Sequence, residues 1–117
     1  MSNLDAAAYA ALSPLFPGAA WPNTSESQAL EYVTWNAYTV PQVYAERLPA
    51  AARYPTQVHY FLPHGIDPTD KKLAIQQALF DAGFTWPSNI VDASDREGQH
   101  YVFECEYVNA GGVYGYA

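Results

Sequence analysis

Few side chains of this 117-residue chain carry the chemistry of a reaction centre, and most lie in its second half. Cys105 with His100 or His59 has the residue types of a thiol nucleophile and its base. Cys105, however, stands between Phe103 and Tyr107 in an alternating run, where a buried thiol behaves as a small hydrophobe with a raised pKa. His59, His64, Asp67 and His100 hold metal-ligating atoms, but the spacings of five and three residues from His59 to His64 to Asp67 match none of the usual closed ligand sets. Asp67 also has another use, as a helix cap. Glu104 and Glu106 would need a flanking aromatic cleft to work as a glycosidase pair, and a solvated strand face accounts for both. Gly111-Gly112 is followed by no Gly-Lys-Ser/Thr and no helix start, so it is not a phosphate loop. The sequence therefore assigns no catalytic residue, no cofactor-binding residue and no metal ligand.

The elements that carry these residues follow from periodicity. Leu4, Ala8, Ala11, Leu12 and Leu15 recur at helical spacing from Leu4 to Phe16, Ser2 and Asp5 are spaced like a capping box, and Pro14 ends the helix near Ser13. Pro17 to Ala29, with Pro-Gly, Pro-Asn and a Ser/Thr cluster, reads as a loop anchored by Trp21. Val33, Trp35 and Ala37 alternate with Thr34, Asn36 and Tyr38 in a strand between Leu30 and Val40. A second strand, Thr56 to Leu62, puts Val58, Tyr60 and Leu62 on one side. Between them, Pro41 to Pro55 holds three prolines and predicts a long projecting connection.

Asp67, Pro68 and Asp70 predict a helix start, with Asp67 as N-cap and Pro68 in the first helical position. The helix runs to about Ala82 and stops at Gly83. Ala74, Ile75, Ala78, Leu79 and Ala82 fall on one face, Leu73 and Phe80 on another. A short run at Ile90-Val91, a polar turn from Asp92 to Gly98 and an alternating strand from His100 to Val108 complete the order αββαββ. The expected fold is an α+β two-layer sandwich, a four-stranded antiparallel sheet with two helices on one face. Residues 1–110 form its single domain and 111–117 a flexible Gly/Tyr-rich tail.

Composition narrows the function classes. Five Lys plus Arg against twelve Asp plus Glu give a net charge of -7, which opposes partners bound through their phosphates, so nucleic-acid binding is not expected. No stretch of about 18 apolar residues predicts a membrane span. The beginning Met1-Ser2-Asn3-Leu4-Asp5 lacks the basic start of a secretory signal, and a single Cys allows no internal disulfide, so a reducing compartment is expected. Only 15% of residues are charged while ten are Tyr and three Trp, a balance found at the desolvated centres of interfaces. The composition favours a chain that assembles.

The opening Leu12-Ser13-Pro14-Leu15-Phe16-Pro17-Gly18, with Leu30 to Trp35, Tyr54 to Tyr60, Ala82 to Pro87 and His100 to Glu106, resembles the tail-terminator, or tail-completion, proteins of tailed bacteriophages. The resemblance spans about residues 4 to 109 and rests on structural, not chemical, motifs. It implies an α+β fold, a closed ring usually of six subunits, no enzymatic activity and no cofactor. Its implied partners are other copies of itself, the tail-tube protein and the head-completion or connector proteins. Its implied location is the virion tail or neck, after assembly in the host cytoplasm. The family transfers no binding residue. From patterning alone, the expected subunit interface comprises Leu73, Phe80, Val43, Tyr44, Arg47, Tyr114 and Tyr116. For Leu73 and Phe80, contact with the first helix inside the monomer is the equal alternative. The functional alternative is a small-molecule or carbohydrate-binding module that uses Trp21, Trp35 and Trp86 as stacking platforms.

Overall fold

The computed structural model describes residues 3–23, 29–37, 40–41 and 52–108. In chain order these form α1 (Asn3–Leu12), β1 (Ala20–Pro22), β2 (Tyr32–Ala37), β3 (Val40–Pro41), β4 (Ala52–Leu62), α2 (Thr69–Asp81), β5 (Asn89–Asp92) and β6 (Gln99–Val108). The α+β class is as expected, but the sheet is mixed and larger than four antiparallel strands. Five strands follow the path β1-β2-β4-β6-β5, and the two-residue β3 pairs with β4 off that path. β1 runs parallel to β2, while the other pairs are antiparallel.

Two departures from the sequence reading have local causes. β1 lies inside the expected loop, because three residues are too few to show alternation. It is fixed at both ends, where Val33 N–H donates to the Ala19 carbonyl at 3.0 Å and Asn23 N–H to that of Trp35 at 2.7 Å. β4 begins at Ala52 and takes Pro55 into the middle of the sheet, so the connection from Pro41 to Pro55 is not all projection. Pro55 pairs with Glu106 at the one stretch where β4's other neighbour changes. The β2 ladder ends at Ala37↔Thr56 and the β3 ladder begins at Val40↔Arg53, so the missing N–H falls in a gap of the pairing on that side. α1 ends at Leu12, beside the Ser13 end that the sequence predicts from Pro14, and Leu15 and Phe16 follow in a turn whose N–H groups both reach the Leu12 carbonyl at 3.0 Å.

α2 begins one residue later than expected, at Thr69, with Pro68 flanking it. Asp67 still supplies the capping acceptor: its Oδ1 takes the Thr69 N–H at 2.9 Å and the Thr69 hydroxyl at 2.6 Å. These bonds hold the Asp67 carboxyl below its ordinary range. The helix ends as the sequence predicts. Phe84 N–H reaches the Leu79 carbonyl at 3.0 Å and Gly83 N–H that of Phe80 at 3.2 Å, a Schellman closure with Gly83 at φ 105°.

One core joins both helices to one face of the sheet. Leu4, Ala8 and Leu12 of α1 and Ile75 and Leu79 of α2 pack with Val33, Trp35, Val58, Tyr60 and Phe103. The strand register makes these a single face, since Trp35↔Val58↔Phe103 and Val33↔Tyr60↔Tyr101 form two rows across the sheet. The Ser2 half of the expected capping box lies outside the described residues, and Asp5 makes a contact that the sequence reading does not anticipate. Its Oδ1 accepts from the Trp35 indole Nε1–H at 2.8 Å, tying the first turn of α1 to the centre of the core. Tyr60, fully buried, donates its hydroxyl to Glu31 at 2.6 Å, and burial followed by that carboxylate pushes its pKa up.

Candidate functional site

The strand register separates the reactive residue types. Cys105 pairs with Thr56 on the helix-covered face, whereas His59 and His100 stand on the opposite, open face. A nucleophile and its base cannot meet through a sheet. Cys105 is buried, and desolvation, followed by repulsion from Glu106, pushes its thiol up to about 12, the reverse of activation.

Among the described residues no group of three or more His, Cys, Asp or Glu could hold a metal ion. His64 bonds the Asp95 carbonyl at 2.7 Å, Asp67 caps α2, and His59 and His100 bond to each other. Glu104 is exposed and accepts from the Asn89 amide across the β5–β6 ladder. The four metal-ligating residue types that the sequence weighs and sets aside thus all have structural partners among the described residues.

What the fold does assemble is an aromatic row on the open face. Tyr32↔Phe61↔His100 are cross-strand neighbours on β2, β4 and β6, and their rings stack in that order at 4.6 and 4.2 Å between centroids. The next row holds Thr34↔His59↔Val102↔Val91, where Thr34 and Val102 are buried although no described helix covers them. The aromatic row forms one wall of an open pocket of about 470 Å³, lined also by Leu30, Pro63 and the β5–β6 turn with Asp95 and Glu97. Gly98 allows that turn to close, because a Cβ there would stand 3.1 Å from the Leu62 carbonyl oxygen. Sequence reasoning missed this site. Its signal is the aromatic and histidine content of the outward positions Tyr32, His59, Phe61 and His100, of which the sequence reading weighs only the two histidines, as a thiol base or metal ligands.

A second exposed apolar surface lies on α2. Leu73 is 59% and Phe80 52% exposed, as the surplus apolar positions of that helix should be. α1 packs beside α2 but leaves both uncovered among the described residues. Trp86 adjoins Phe80, edge to face at 5.8 Å, and extends the ridge. Of the other expected interface residues, Val43, Tyr44, Arg47, Tyr114 and Tyr116 lie outside the described residues. The three tryptophans do not share a surface: Trp35 is in the core, Trp21 is half-buried against it, and Trp86 alone among them is exposed. Compared with known proteins, the chain matches no family model and no curated sequence.

Proposed function

We propose that this chain is a structural subunit of a tailed bacteriophage, assembling into a ring that caps the tail tube and forms part of the head–tail joint. The observation that carries the reading is the apolar ridge Leu73, Phe80 and Trp86, half or more exposed at its first two positions on a chain of net charge -7 with few charged residues. Leaving such groups in water forgoes about 1.5 to 3 kcal/mol of burial for each fully coverable side chain. A closed ring covers them with a second, different patch of the next subunit, as heterologous association requires. Acidic charge facing the hole of the ring would repel DNA phosphates and let a genome pass without adhering. The reading includes no catalysis and no cofactor. Other copies of the chain, the tail-tube protein and the head-completion or connector proteins are its partners, and the virion tail or neck its place.

Light scattering across a concentration series and electron microscopy of the protein mixed with tail tubes test this. Discrete rings seated on tube ends are the expected result. A monomer at every concentration that leaves the tubes bare would overturn it.

The second reading is a small-molecule-binding module, and the cavity beside Tyr32, Phe61 and His100 favours it. It no longer rests on three tryptophan platforms, because Trp35 is inside the core. Ligand-dependent quenching of fluorescence in a persistent monomer would select it.

A further inference from the structure

Three side chains from three neighbouring strands form one polar chain across the open face: Asn36 on β2, His59 on β4 and His100 on β6. Their acceptors dictate the tautomers. Asn36 presents its amide oxygen, which can only accept, to His59 Nε2 at 3.0 Å, so that nitrogen carries the proton of the neutral ring. His59 Nδ1 is left with a bare lone pair. His100 Nε2, 2.9 Å away, must then donate to it, and only His100 Nδ1 remains to accept a further proton.

The contact is head-on. Ring centroids 5.1 Å apart with nitrogens 2.9 Å apart place the two nitrogens nearly on the line between the rings, as a hydrogen bond requires. Two imidazoles bound to one metal ion would converge at an angle and bring their centroids closer for the same nitrogen separation.

We propose that this chain is a two-step proton switch: His100 Nδ1 takes the first proton with every bond intact, and the second proton, at His59, breaks the bond between the rings. After the first step His100 is a cation that still donates through Nε2, now as a charge-assisted bond. Asp95, in the turn beside it, favours that charge. The second proton has only His59 Nδ1 to occupy, the atom that accepts the bond, and it sets two cations and two donors against each other. Burial holds both rings below the ordinary histidine range, and at His59 the neighbouring His100 adds to the effect.

Among the described residues both ring nitrogens of His59 are taken by Asn36 and His100, so no carboxylate bonds the ring that receives the second charge. On β2 the ionisable neighbour among the described residues is Tyr32, on β6 it is Glu104, which Asn89 of β5 already bonds, and in the turn they are Asp95 and Glu97, which line the same cavity as His100; β5 places the apolar Val91 in the His59 row. His100 also stacks on Phe61 and walls the cavity. Breaking its bond to His59 releases that wall, so the second step reshapes the cavity while the first leaves it unchanged. This inference concerns the open face alone and stands whether or not the chain forms rings.

Long-range ¹⁵N–¹H NMR of the imidazoles in the full chain, from about pH 8 to about pH 4 on either side of the ordinary histidine range, tests it. At the alkaline end both rings should carry their proton on Nε2. As the pH falls His100 should charge first, and the amide signals of Tyr32, Phe61 and Gln99 should move with the later charging of His59. In His100→Gln, His59 should charge in a single step at higher pH than in the parent, because the like charge is gone. His59 taking the first proton, one common step for both rings, or a neutral His59 protonated at Nδ1 would each overturn the proposal. All three outcomes are read from the parent chain, so the result does not depend on the variant folding.

Discussion

The two faces of the sheet come from the same strands, yet one is closed by helices and the other, among the described residues, has no helix over it. On the covered face the alternating residues are large and apolar, Trp35, Val58, Tyr60 and Phe103, all at 1% exposure or less, with two helices above them. On the open face the intervening positions change character along the strands. One end carries stacked Tyr32, Phe61 and His100, and the other carries Gln57, Glu104 and Asn89 in solvent. The covered face is held by burial, which is non-directional and large. The open face is held by cross-strand stacking and hydrogen bonds, each worth about 0.2 to 1 kcal/mol for a cross-strand pair. Stability should therefore reside on the first face and responsiveness on the second.

The largest test of that division is Phe103→Ala, which empties the centre of the covered face. Phe103 is fully buried between Val58 and Ile90 in its cross-strand row, and a loss of about 3–5 kcal/mol is expected in urea unfolding. That is a large fraction of the total stability of a domain this size. A loss below about 1 kcal/mol would mean that the core tolerates a cavity and that the two faces are not energetically distinct.

The next effect concerns the polar contact that crosses the covered core. Asp5→Leu removes the acceptor of the Trp35 indole N–H and leaves that donor buried, which costs about 1–3 kcal/mol. Asp5→Asn keeps an acceptor oxygen and should recover most of the loss. Equal losses in the two variants would show that charge, and not the hydrogen bond, matters at this position.

These two residues also mark how far the sequence could be read. Phe103 is legible as core because a buried strand face writes itself as strict alternation, whereas Trp35, in the same kind of alternation, reads equally as a surface stacking platform until the fold places it inside. The match of Asp5 to Trp35, 30 residues away, was not visible, since a carboxylate in the first turn of a helix reads equally well as part of a cap. The end of α2 was legible at Gly83 because a Schellman closure is local and needs a residue at positive φ. β1 and the first residues of β4 were hidden by prolines, whose cost vanishes at an edge or where the neighbouring ladder is interrupted. The aromatic row of the open face was hidden for another reason: alternation identifies which residues point away from the core but says nothing about what those residues do to one another across strands.

On the open face, acid should act where core mutations do not. His59 and His100 both have folded-state pKa values below the ordinary value of 6.5. The unfolded chain therefore binds more protons as the pH drops below that value, and unfolding free energy falls with it until the folded rings are themselves charged. Above the ordinary histidine range the pair contributes no slope. Asp67 and Asp92 have lowered pKa values, so their contribution is present at neutral pH and is lost only in the lower carboxylate window. Urea midpoints measured across pH should accordingly decline in two separated windows. His59→Gln should flatten the upper window and leave the lower one unchanged; a steeper upper window in that variant would place the acid sensitivity elsewhere.

The smallest expected effect on the monomer is at Phe80, which belongs to neither face of the sheet. Its neighbours on α2, Ile75 and Leu79, are fully buried and already supply the contact with the core, while Phe80 stands 52% exposed with Trp86 against its edge. Phe80→Ser gives up that aromatic pair, about 0.5–1.5 kcal/mol at most beyond area, and part of a side chain's burial. The melting temperature of the dilute protein should fall by only a few degrees. The same substitution removes the centre of the ridge that the ring reading needs covered, so the concentration at which larger species form should rise far more than the monomer's stability drops. Leu73→Ser, on the same ridge and 59% exposed, should follow the same split. Light scattering beside thermal melts separates the outcomes. Unfolding of the dilute Phe80→Ser chain would make Phe80 part of the core. Unchanged association with an unchanged fold would leave the ridge as ordinary surface and move the ring interface to another part of the chain.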